Sequence, residues 1–107
     1  MFYLLVSEID QEDMISGEVI SGINKQRLTQ ALCECCLCGL DWVGVYKIET
    51  SEPVLDGDVE VICDVYNAPT LLKYSNTKLQ LDLKKLKDVD IKLIASSDSS
   101  SYASLTF

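Results

Sequence analysis

Apolar positions recur along this chain with two different periods. From Leu28 to Gly39 (LTQALCECCLCG) the period is helical: Leu28, Ala31, Leu32, Cys35 and Cys36 fall at i, i+3, i+4, i+7 and i+8, one face of an α-helix. Asn24 is placed to cap its start, and Gly39 to take the left-handed conformation that ends it. Elsewhere the period is two. Phe2 to Ile9 carries Phe2, Leu4 and Val6 on one side and Tyr3, Leu5 and Ile9 on the other. Apolar residues on both faces predict a central strand. Met14 to Ile23, with Gly17 and Gly22 around EVIS, fits a short edge strand leading into the helix.

After the helix, Trp42 to Glu49 predicts a strand with Trp42, Gly44, Tyr46 and Ile48 on one face and Val43 and Val45 on the other. Pro53 and Asp56-Gly57 then signal a hairpin. Val59 to Tyr66 returns with Val59, Val61, Cys63 and Val65 alternating against Glu60, Ile62, Asp64 and Tyr66. In 77–87, Leu79, Leu83 and Leu86 fit a helix, while Leu79, Leu81 and Leu83 fit a strand. The helix formers between them favour the helix. Val89, Ile91 and Leu93 predict one more strand, and residues 96–107 read as a flexible tail or an added edge strand.

The order strand, helix, strand, strand, helix, strand predicts a single α+β domain over 1–107. Its antiparallel sheet of four to five strands packs on one main helix, as a ferredoxin-like fold or a helix on a meander. Both place Val43, Val45, Val59, Val61, Cys63 and Val65 under the cysteine-rich helix. Tyr3, Leu5, Trp42, Tyr46, Ile62 and Tyr66 then lie on the opposite face, either covered by 70–94 or exposed as an aromatic patch.

Composition narrows the chemistry. The 107 residues are 48% hydrophobic with a mean hydropathy of +0.14, too apolar for a disordered chain. No apolar run nears the ~20 residues that span a bilayer, and FYLLV lacks the basic flank of a signal peptide, so the expected compartment is the cytoplasm. Five cysteines, four of them crowded into Cys33 to Cys38, are read as reduced thiols. On one helix Cys33 and Cys36 share a side and Cys35 and Cys38 another, so they cannot all face one ion. Lying near a helix C-terminus, they are poorly placed for redox work. They are expected to act as small core residues, with no metal and no cofactor.

There is no histidine, no nucleophile elbow and no glycine-rich phosphate loop, so enzyme activity is not expected. The spacing of Asp56, Asp58 and Glu60 fits a solvated hairpin tip better than a calcium loop, because position 67, where a bidentate Glu belongs, is Asn.

The net charge of −8 is unevenly spread. Residues 1–67 hold thirteen Asp and Glu against three Lys and Arg, net −10. Residues 68–107 hold four against six, net +2. Such a field repels nucleic acid and steers toward basic partners. The run Lys84-Lys85-Leu86-Lys87 reads as a solvated face.

The opening layout (strand Phe2 to Ile9, acidic loop, Gly17-Glu18-Val19-Ile20 feeding a helix with Leu28-Thr29-Gln30-Ala31, then strand Val43 to Ile48) resembles small phage-encoded α+β proteins, including anti-CRISPR inhibitors. That resemblance covers about half the chain and implies a protein that blocks a nucleic-acid-binding complex, with no membrane and no direct nucleic-acid contact. From the charge pattern itself, the expected partner-binding residues are Glu8, Asp10, Glu12, Asp13, Glu49, Glu52, Asp56, Asp58 and Glu60. Trp42, Tyr46 and Tyr66 are the expected aromatic anchors, docking on a basic protein surface. The alternative is an assembly protein that forms a homodimer or larger oligomer through its apolar sheet face or its tail strand.

Overall fold

The computed structural model describes residues 1–8, 14–21, 26, 30, 42–64 and 68–96. Seven antiparallel strands form one sheet: β1 (Phe2–Glu8), β2 (Met14–Ser21), β3 (Trp42–Glu49), β4 (Gly57–Cys63), β5 (Pro69–Tyr74), β6 (Gln80–Asp82) and β7 (Asp90–Ser96). Their spatial order is β6-β5-β4-β2-β1-β3-β7, a sheet curled into a half-barrel. The described fold is therefore nearly all-β, and the expected α+β architecture with a ferredoxin-like or meander sheet under one main helix is corrected. The helix placed at Leu28 to Gly39 lies, except for Gln30, outside the described residues. Gln26 and Gln30 are isolated exposed positions with helical backbone, and no α-helix is among the described elements.

β1, β3 and β7 form as expected, and β1 is central, paired with β2 on one side and β3 on the other. Met14–Ser21 departs from expectation. Far from an edge, β2 is the middle strand of the seven, between β1 and β4. Gly17, which looked like a strand breaker, is what lets three strands curl together. A Cβ there would stand 2.8 Å from the Leu5 carbonyl oxygen and 2.9 Å from a Val61 methyl.

Direct cross-strand partners share a face, so register assigns the core. Leu4 lies between Val19 and Tyr46, and Phe2 opposite Ile48. Val61 lies opposite Leu72, and Val59 opposite Tyr74. These residues are buried together in one cluster. Each such side chain contributes about 1.5–3 kcal/mol of transfer free energy when fully buried. Tyr46 is thus on the core face with Val59 and Val61, while Val45 pairs with Leu5 on the other. The expected partition is one residue out of step for β3, because alternation within a strand does not fix its register against the next. On the second face Tyr3, Leu5, Ile20 and Val45 are buried, so they form no exposed patch.

Residues 69–82 do not cover a sheet face; they extend the sheet as β5 and β6. Nor is 77–87 a helix. It is β6 followed by a 3-10 turn over Leu83–Lys85, started by Asp82, whose carboxylate accepts the Lys84 backbone N–H at 3.0 Å. Leu83, fully buried, and Leu86 enter the core from this connection to β7. The expected hairpin between β3 and β4 is also absent: each pairs elsewhere, and β2 and β1 stand between them. Residues 50–56 therefore cross one end of the sheet, a path that long-range pairing imposes over the local Asp-Gly signal.

Candidate functional site

Residues 49–60 contain five carboxylates and no basic residue. Glu49 ends β3, Asp58 and Glu60 lie on β4, and the crossover between them, which carries Glu52 and Asp56, is held at several points. Val54 packs against the core cluster, while Leu55 beside it is 56% exposed. The Leu55 backbone N–H is hydrogen-bonded to the Tyr74 phenolic oxygen. Asp56 accepts the Ser21 backbone N–H at 2.9 Å, closing the end of β2. The Thr50 hydroxyl donates to the Lys87 carbonyl at 2.7 Å, and the Lys87 N–H donates to Glu52 Oε2 at 3.3 Å. The two connections that cross the sheet are thereby fastened to each other. Gly57 follows with φ 139°, backbone that L side chains rarely adopt.

The described lysines leave most of this charge alone. Lys47 pairs with Glu49 at 3.3 Å, Lys92 with Asp90 at 3.7 Å and Lys84 with Asp64 at 4.0 Å. Among the described residues, Glu52, Asp56, Asp58 and Glu60 make no ion pair, and all four are exposed. Glu18, absent from the expected set, stands directly opposite Asp58 across β2 and β4, next to the Ser16 and Glu60 pair. Like charges in opposed positions repel across a sheet. Reading β2 as a true strand, with Glu18 between Gly17 and Val19, is the signal that would have found it.

The other expected residues are dispersed. Glu8 and Trp42 are register partners at the far end of β1, roughly 20 Å from the crossover by strand rise. Asp10, Glu12, Asp13 and Tyr66 lie outside the described residues. Tyr46 is only 8% exposed, inside the core, so it offers no surface anchor. Burial raises its phenol above the usual 10.0, with Cys63 and Asp64 adding to the rise. Tyr74 is raised too, chiefly by burial. The Leu55 N–H opposes that shift and Asp56 reinforces it.

Cys63 is a half-buried cysteine packed against the core, and the other four cysteines lie outside the described residues. Among the described residues no three His, Cys, Asp or Glu side chains converge as a metal site, and no helix is long and apolar enough to cross a membrane. No protein-family model matches the chain, and no curated protein or solved structure matches it either.

Proposed function

We propose that this chain is a non-enzymatic acidic binding protein that docks its 49–60 crossover on a basic protein surface, as an inhibitor of a nucleic-acid-handling complex would. The observation that supports this reading is the set of exposed carboxylates at Glu52, Asp56, Asp58 and Glu60, which no described lysine neutralises within ion-pair distance. Glu52 and Asp56 sit on a connection already immobilised by its own hydrogen bonds, and Asp58 and Glu60 on the strand β4 that follows it. A partner therefore gains charge complementarity without first ordering a loop. Leu55 supplies an apolar contact in the middle of the acidic rim.

The test is retention of partners by the immobilised protein, compared with a variant carrying Asp58→Lys and Glu60→Lys. Asp56 is left intact because it also closes β2. Binding of the parent should collapse as salt shortens the screening length to about 3 Å near 1 M, and the variant should lose it at low salt while keeping its fold. Retention indifferent to both salt and charge reversal would overturn the proposal.

A further inference from the structure

Tyr74, the last residue of β5, is buried, and the two most exposed large apolar side chains among the described residues belong to the segments bonded to it. At its tip, the phenolic oxygen accepts the Leu55 backbone N–H from the crossover. At its base, its own backbone N–H donates to the Leu79 carbonyl at 3.3 Å. The register of β5 against β6 sets Leu72 opposite Leu81 and Lys73 opposite Gln80. Carried one step further, it sets Leu79 opposite Tyr74 and on the same sheet face. Leu55 is 56% exposed and Leu79 is 54% exposed. Tyr74 thus joins the two leucines into one apolar ledge at the end of the sheet that the crossover passes.

The ledge is held in place. The Ser75 N–H donates to the Asp58 carbonyl at 3.1 Å and the Thr77 N–H to the Tyr74 carbonyl at 3.2 Å. The Leu79 N–H donates to the Thr77 hydroxyl at 3.1 Å, so the turn from Ser75 to Leu79 is tied to β4 and to itself. A surface already ordered loses little entropy when a partner covers it. Its two ends differ in charge. Asp56 follows Leu55 and lies close enough to act on the Tyr74 phenol, whereas Lys78 precedes Leu79 and makes no ion pair among the described residues. Asp58 and Glu60 stand on the other face of β4, because Val59 between them pairs with Tyr74. Mutation can therefore separate the ledge from those two carboxylates.

We infer that Leu55 and Leu79 are the apolar anchor of the docking surface, and that they take a partner segment whose large aliphatic residues are flanked on one side by lysine or arginine. The inference rests on the proposed docking of the crossover and names what the partner carries there. The aliphatic residues lie on the ledge and the basic ones over Asp56 and Glu52. The opposite direction would set like charges against Lys78.

Fluorescence anisotropy of the intact chain with two labelled peptides tests it. One is Lys-Lys-Lys-Leu-Gly-Leu and the other its equally charged counterpart Lys-Lys-Lys-Ser-Gly-Ser. The leucine peptide should bind about tenfold more tightly, as burial of one leucine side chain provides. Leu55→Ser and Leu79→Ser, both at exposed positions, should each erase most of that preference and leave the affinity for the serine peptide unchanged. Leu93→Ser, similarly exposed but on the other outer strand, should behave like the parent. Equal binding of the two peptides that weakens with salt would overturn the ledge and leave the acidic docking standing. Binding of neither peptide would overturn both. A preference that survives Leu55→Ser and Leu79→Ser, or that Leu93→Ser abolishes, overturns the ledge as well.

Discussion

Asp56 and Ser21, 35 residues apart in sequence, meet where the acidic crossover passes the end of the central strand, the carboxylate accepting the backbone N–H at 2.9 Å. One carboxylate therefore closes a strand end while adding to the negative rim. Asp56→Ala should cost about 1 kcal/mol, the net value of such a bond at an exposed position. Asp56→Asn, which keeps the accepting oxygen, should cost less. Urea unfolding of the two variants checks this, and equal losses would mean that charge rather than the hydrogen bond matters there.

Gly17 is the position where a single methyl should do most harm. With the Leu5 carbonyl at 2.8 Å and a Val61 methyl at 2.9 Å from a built Cβ, Gly17→Ala must part β2 from a backbone atom on one side and a packed valine on the other. A carbonyl cannot turn aside as a long side chain can. The expected loss is about 1–3 kcal/mol, the range for overpacking a close-fitted site. Thermal unfolding that leaves Gly17→Ala as stable as the parent would show that the sheet relaxes there freely.

Glycine is also where reading the sequence and reading the fold part company. β1, β3 and β7 were legible because Phe2 to Glu8 and Trp42 to Glu49 are short runs rich in aromatic and branched residues, and Val89, Ile91 and Leu93 alternate with Asp90 and Lys92. β2 was legible only as a short edge strand, since Gly17 signals a break unless its neighbours across two strands are known. The Asp56-Gly57 pair signals a hairpin for the same local reason, and β4 found its partners in β2 and β5 instead. In 77–87 the leucine spacing satisfies both periods, and the Asp82 cap decided for a 3-10 turn. The acidic run from Glu49 to Glu60 was legible because it is contiguous. Glu8 and Trp42 were grouped with it by charge and size, yet the strand direction carries them to the other end of the sheet.

The connection from β6 to β7 should behave as part of the core. Leu83 is fully buried, and Leu86 follows it into the cluster that contains Leu72 and Tyr74. Leu83→Ala should destabilise by about 2–5 kcal/mol through lost transfer energy and the cavity left behind. Lys84→Ala beside it, mostly exposed and only 4.0 Å from Asp64, should change stability little. Comparable midpoints for the two variants would place Leu83 outside the cooperative unit.

Alkaline pH should unfold this protein earlier than its neutral stability suggests, and two tyrosines give the reason. Burial raises the phenols of Tyr46 and Tyr74 above 10.0, so near and above that pH the folded chain holds protons that the unfolded chain releases. More protons bound in the folded state means that stability falls as pH rises. The contribution is whole below pH 10 and disappears as pH climbs through the raised folded values. Tyr46→Phe and Tyr74→Phe each delete one such proton, so each should flatten the slope of unfolding free energy against pH in that window. The slope is the readout, because losing a hydroxyl also moves the neutral baseline. Every other ionisable group is common to parent and variants, so the difference between slopes isolates the phenols. If the double variant keeps the parent's slope, the alkaline loss belongs to other groups, and Tyr46 is not held in the desolvated core that its place opposite Leu4 requires.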